Sequence, residues 1–153
     1  MSKAFTREDD RPEPEPPRRL ASLLPPGAQN YLTRESATRF RAELDALVAQ
    51  ERPGSERIQE LTRILESAVV VDPPSEPIDV VRFGATVTVR TLPDGEPARY
   101  RIVGVDEADV ARGWISWVSP VAKALLSAGA GDRVRAVLPS GEKELEILDV
   151  NYD

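Results

Sequence analysis

Partway along the chain the spacing of apolar side chains changes period, and that change limits the available folds more than any other feature. Between Thr33 and Ala68 the apolar residues fall at helical intervals. Ala37, Phe40, Leu44 and Leu47 follow a 3-4-3 spacing, and Ile58, Leu61, Leu65 and Ala68 repeat it, with Ile64 alongside. Each set lays a narrow stripe along one face of a helix. Arg52-Pro53-Gly54-Ser55 separates the two, because Pro53 disfavours helical backbone at Arg52 and Gly54 permits a reversal. Thr33 and Ser55 stand where an N-cap is needed. Two matching stripes joined by a short turn predict an antiparallel helical hairpin over residues 31–71, built like a short coiled coil. So short a pair is barely stable alone and must lean on neighbouring structure.

From Val69 onward the pattern belongs to strands. Val69-Val70-Val71 reads as a short strand, followed by the linker Asp72-Pro73-Pro74-Ser75. Further strands are expected over 80–91, where Val87 and Val89 alternate with Thr86, Thr88 and Arg90, and over 98–103 after the turn Pro93-Asp94-Gly95. Others follow at 114–118, 133–138 and 145–150, the last two flanking Pro139-Ser140-Gly141. One helix interrupts this series: Ser119 caps it, Pro120 sits at the first helical position, Val121, Ala122, Leu125 and Leu126 form its apolar face, and Gly131 stops the segment. The fold class is therefore α+β, a helical hairpin followed by an antiparallel sheet domain (77–153) with one face on the helix. Its core is expected to hold Val87, Val89, Ile102, Leu125, Val134 and Ile147. Trp114 and Trp117, three apart on a strand, are expected on opposite faces, one in the core and the other outward.

Composition narrows the chemistry. The 153 residues contain no cysteine and no histidine, so disulfides, thiolate chemistry, the usual zinc ligands and the usual general base are all missing. No catalytic residue, cofactor or bound metal is expected. Six of the 14 prolines fall within residues 1–30, which predicts a flexible or polyproline-like leader. The N-terminus lacks an apolar export segment and no long apolar run occurs, so the expectation is a cytoplasmic protein with no membrane association. The net charge is −6, concentrated in residues 72–153 with 14 acidic against 9 basic groups. Such a surface repels phosphate backbones, so autonomous nucleic-acid binding is not expected, while a basic protein surface is an acceptable partner.

Three segments carry a family resemblance. Ser116-Trp117-Val118-Ser119-Pro120-Val121-Ala122-Lys123-Ala124-Leu125-Leu126, closed by Gly131-Asp132, resembles the C-terminal signature of the bacterial Gre transcript-cleavage factors. Phe83-Gly84-Ala85-Thr86-Val87-Thr88-Val89 is similar to the family's strand start, and Tyr100 to Asp109 to its Y-R-I-V-G-x-D-E-A-D strand and loop. Lys3 to Asp10 also looks like a Gre leader, and Leu24-Pro25-Pro26-Gly27 with Asn30-Tyr31-Leu32-Thr33 like the approach to the first helix. The resemblance implies an FKBP-like C-terminal domain that docks on RNA polymerase at the rim of its secondary channel, with the Ser-Pro loop in the contact. Ser119 and Pro120 match that loop, whereas Val118 stands where the family often has a polar or acidic residue. Asp106, Glu107 and Asp109 form an acidic loop suited to a basic polymerase surface.

The same resemblance exposes a departure. Gre factors carry at the tip of a long coiled coil an acidic motif, D-x-S-E-N, whose carboxylates help hold a catalytic magnesium in the polymerase. Here the tip holds only Glu51 and Glu56 beside Arg52 and Arg57, too few converging oxygens for a hard cation. About 30 residues are missing against the family pattern, or about 15 per arm of the hairpin, worth about 22 Å of reach at 1.5 Å per residue. The resulting expectation is a polymerase-binding modulator of elongation, not an enzyme, that does not stimulate cleavage. Two alternatives stand beside it. One is a regulator of nucleoside diphosphate kinase, another Gre-like protein with a short hairpin. The other is an FKBP-like prolyl isomerase, for which the five aromatics Phe83, Tyr100, Trp114, Trp117 and Tyr152 make a thin lining.

Overall fold

The computed structural model describes residues 24–50, 55–76 and 78–152. The proline-rich leader up to residue 23 and the turn residues Glu51 and Arg52 lie outside them. Strand β1 (Asn30–Thr33) leads into helix α1 (Arg34–Ala49), helix α2 (Glu56–Ser67) follows, and strand β2 (Ala68–Val71) returns to pair with β1 in parallel, Asn30 opposite Ala68. Parallel neighbours require a crossover, and the helix pair supplies it.

The two helices run antiparallel. Asn30 bonds Ser67 near one end, and farther along Glu43 bonds Arg57. Leu32, Phe40, Leu61 and Ile64 are buried between β1 and the helices, and Ala37, Leu44, Leu47, Leu65 and Ala68 pack around them. Thr33 caps α1 by accepting from the Ser36 N–H at 3.2 Å. Ser55 occupies the corresponding position of α2, yet its side chain makes no cap bond. Arg57 compensates by joining the helices, its fork donating to both Glu43 oxygens at 2.6 and 2.8 Å.

The second layer is a five-stranded sheet in the order β5-β4-β3-β7-β6, formed by β3 (Thr86–Thr91), β4 (Pro97–Val103), β5 (Trp114–Ser116), β6 (Arg133–Leu138) and β7 (Gly141–Asn151). Helix α3 (Pro120–Leu125) covers one face. The core between them contains Val87, Val89, Ile102, Leu125 and Ile147 as expected, with Val134 partly buried at its margin. Each fully buried aliphatic side chain contributes about 1.5–3 kcal/mol through removal of apolar surface from water.

Three expectations are corrected. The sheet is mixed, because β5 pairs with β4 in parallel. The intervening segment, with its 3-10 turn Val110–Arg112, carries the chain back to the middle of β4, beside Arg101, before β5 begins. The strand expected over 80–91 begins only at Thr86, since Gly84, at φ 91°, turns the chain just before it. The tryptophans do divide between the two sides, Trp117 packing against the margin of the core and Trp114 on the outer face, but neither is fully buried or fully outward. Trp114 and Trp117 are both half-buried, and Trp117 lies beyond the end of β5 with its ring 5.2 Å from that of Tyr31.

Candidate functional site

The Ser-Pro corner is built by local hydrogen bonds. The Ser116 hydroxyl accepts from the Val118 N–H at 3.2 Å, and the Ser116 carbonyl accepts from the Ser119 N–H at 2.9 Å. These bonds turn the chain out of β5. Ser119 has extended backbone (φ −70°, ψ 155°) and its hydroxyl accepts from the Ala122 N–H at 3.2 Å, which starts α3 with Pro120 in the first turn. Ala122 and Leu125 anchor the helix in the core, leaving Pro120 exposed and Val118 and Ser119 half-buried at the surface. The Trp117 N–H donates to the Val103 carbonyl at 2.9 Å, so the corner is tied directly to β4.

The acidic loop behaves differently from the expectation. Glu107 is only 4% exposed, and its carboxylate accepts from the Gly104 N–H at 2.7 Å, from the Thr33 N–H at 3.0 Å and from the Thr33 hydroxyl. It is withdrawn from the surface and clasps the helix pair to the sheet domain. Asp106 accepts from the Asn30 side-chain amide at 3.2 Å, adding a second link across the same junction. Asp109 stays exposed, but its side chain caps the 3-10 turn by accepting from the Ala111 N–H at 3.1 Å and pairs with Arg112 at 3.6 Å.

Backbones also approach closely at this junction. A Cβ on Gly104 would stand 2.0 Å from the Tyr31 carbonyl oxygen, so β1 can lie against the start of the loop only because residue 104 is glycine. Glu107 was not recognisable as a buried group from its type or neighbours. The one available signal was Gly104 three residues earlier, where the Glu107 N–H folds back onto the Gly104 carbonyl at 3.0 Å.

At the far end of the helix pair, Glu56 is exposed and opens α2. Among the described residues no group of three or more acidic side chains is arranged to hold a metal ion. Among the same residues no helix is long and apolar enough to cross a membrane.

Comparison with known proteins matches these features to one family. The family described as "Transcription elongation factor, GreA/GreB, C-term" matches residues 75–152, the sheet domain with its Ser-Pro corner. The transcription elongation factor GreB of Neisseria meningitidis serogroup B is 38% identical over 155 positions, covering 81% of this chain and 94% of the relative. GreA of Pelobacter propionicus is 46% identical over 114 residues, covering 73% of this chain and 71% of its own length. A solved GreA/GreB factor from Nitrosomonas europaea is 28% identical, covers 81% of this chain and 100% of that one, and superposes with a TM-score of 0.45. The match to the Neisseria protein spans 155 positions but uses 81% of these 153 residues, about 124, so roughly 30 residues of the relative have no counterpart here. On the sheet-domain match and the identity to the Neisseria and Pelobacter factors, the chain belongs to the GreA/GreB family of transcription elongation factors.

Proposed function

We propose that this protein binds RNA polymerase beside the opening of its secondary channel through the FKBP-like domain of residues 77–153, and modulates elongation without stimulating transcript cleavage. The observation that carries this reading is the length of the helix pair. Helix α1 has 16 residues and α2 has 12, about 24 and 18 Å at 1.5 Å per residue. The roughly 30 residues absent relative to the Neisseria factor correspond, in this reading, to the outer part of the hairpin. What remains does not extend far enough to bring carboxylates to a distant active centre, and the turn sequence offers only Glu51 and Glu56.

Docking in this reading rests on Val118, Ser119 and Pro120, the surface corner that the buried end of α3 holds in place. Asp109 flanks the contact as an exposed charge, while Asp106 and Glu107 fix the angle between the helix pair and the sheet domain. The protein works in the cytoplasm, where its partner is. The test is a pull-down of core RNA polymerase by the full chain, with and without a full-length Gre factor as competitor. Retention of polymerase, lost as the competitor rises, is expected. Failure to retain polymerase at any concentration overturns the proposal.

A further inference from the structure

On the outer face of the sheet, remote from its core, arginines converge on one indole ring. Trp114 on β5, Arg101 on β4 and Thr86 on β3 are cross-strand neighbours, and Arg99 lies two residues along β4 on the same face. The guanidinium carbons of Arg101 and Arg112 both lie 5.0 Å from the Trp114 ring centre, and that of Arg39, reaching across from α1, lies at 5.9 Å. Thr86, Arg99, Arg101, Arg112 and Trp114 line a hollow of about 370 Å³.

The charges there do not balance. Arg101 is 16% exposed and donates to Glu35 at 3.0 Å, while its Nε is buried without a hydrogen-bond partner. Arg112 has Asp109 at 3.6 Å, and Arg39 donates to the Ser36 hydroxyl at 3.3 Å, with Glu43 within electrostatic reach but hydrogen-bonded to Arg57. Among the described residues Arg99 is in no ion pair. Among the described residues only Glu35 and Asp109 thus pair directly with the four guanidinium groups, on a chain whose net charge is −6. Clustered like charges repel, and a multivalent anion relieves that repulsion. A guanidinium held over an aromatic face keeps its N–H edge available for a planar carboxylate.

We propose that this arginine-tryptophan hollow is a docking site for an acidic polypeptide segment, whose carboxylates join Glu35 and Asp109 on the four arginines. Two observations favour a peptide over a nucleic acid. Carboxylates already occupy the two arginines that have partners. Three guanidinium groups crowd the Trp114 ring, which is then not offered as a stacking platform for bases.

The experiment is calorimetric titration of the full chain with hexaglutamate, and separately with a hexauridylate oligonucleotide. Parallel titrations use Arg99→Gln/Arg112→Gln and, as a control at the opposite sheet edge, Arg133→Gln/Arg135→Gln. Both variants lose the same charge from exposed positions, and circular dichroism verifies their fold. Saturable hexaglutamate binding is expected, weakened at least tenfold in the first variant and unchanged within twofold in the second. Equal weakening in both variants, tighter binding of the oligonucleotide than of the peptide, or no saturable peptide binding at low salt would each overturn the assignment.

Discussion

Replacing Glu107 with alanine removes the acceptor for two buried backbone N–H groups, those of Thr33 and Gly104, and for the Thr33 hydroxyl. No solvent reaches the site freely, since Glu107 is 4% and Thr33 is also 4% exposed. Each stranded buried donor costs about 1–3 kcal/mol, so the two N–H groups together amount to about 4 kcal/mol. At about 3 °C per kcal/mol for a domain of this size, the midpoint should fall by about 10 °C. Both N–H groups bond Oε2, so Glu107→Gln can keep them on its amide oxygen with its N–H₂ facing the Thr33 hydroxyl, and should lose much less than the alanine variant. The assay is thermal unfolding by circular dichroism, with hydrogen exchange at the Thr33 and Gly104 amides. Both amides should exchange faster in the alanine variant while those of β3 and β7 keep their relative protection. A midpoint within about 2 °C of the parent, with the two amides still protected, would refute the clasp.

Gly104→Ala should destabilise the chain by at least about 3 kcal/mol in urea unfolding, since its Cβ would meet backbone at 2.0 Å and the strand cannot yield as a side chain would. Ser119→Ala should cost about 1 kcal/mol through loss of the α3 cap, and that change must be measured before any effect on polymerase binding is interpreted. Hydrogen bonding from Arg57 holds the Glu43 carboxyl below its ordinary range, against a smaller opposing effect of burial. A depressed folded value means that this pair stabilises the helices fully above the ordinary glutamate range, near pH 4.3, and that its contribution disappears as pH falls through the lower folded value. Glu43→Gln should therefore flatten the acid limb of the stability profile followed by urea unfolding between pH 2 and pH 6.

The parts of the molecule that were legible in advance are those governed by local periodicity. The 3-4-3 stripes announced α1 and α2, alternation at Val87 and Val89 announced β3, and Ser119-Pro120 announced the start of α3, because each signal depends on residues within one element. The parallel seating of β5 and the pairing of β1 with β2 depend on where distant segments meet, which no local pattern encodes. Glu107 shows the same limit at a single side chain. An acid in a polar loop reads as solvated, and only the arrival of Thr33 from 74 residues away makes it a buried acceptor. The arginines around Trp114 were likewise scattered in sequence, at positions 39, 99, 101 and 112, and only the sheet register and α1 assemble them.

In the function proposed above, the protein occupies the polymerase site of a Gre factor without supplying cleavage chemistry. The most direct test is RNA cleavage in backtracked elongation complexes, measured with this protein alone and then with a fixed amount of full-length Gre factor and rising amounts of this protein, at two ionic strengths. Intrinsic cleavage should be unchanged by the protein alone, and factor-stimulated cleavage should fall with dose, more steeply at low salt. Cleavage above the intrinsic rate with this protein alone, or undiminished stimulated cleavage at saturating excess, would contradict it.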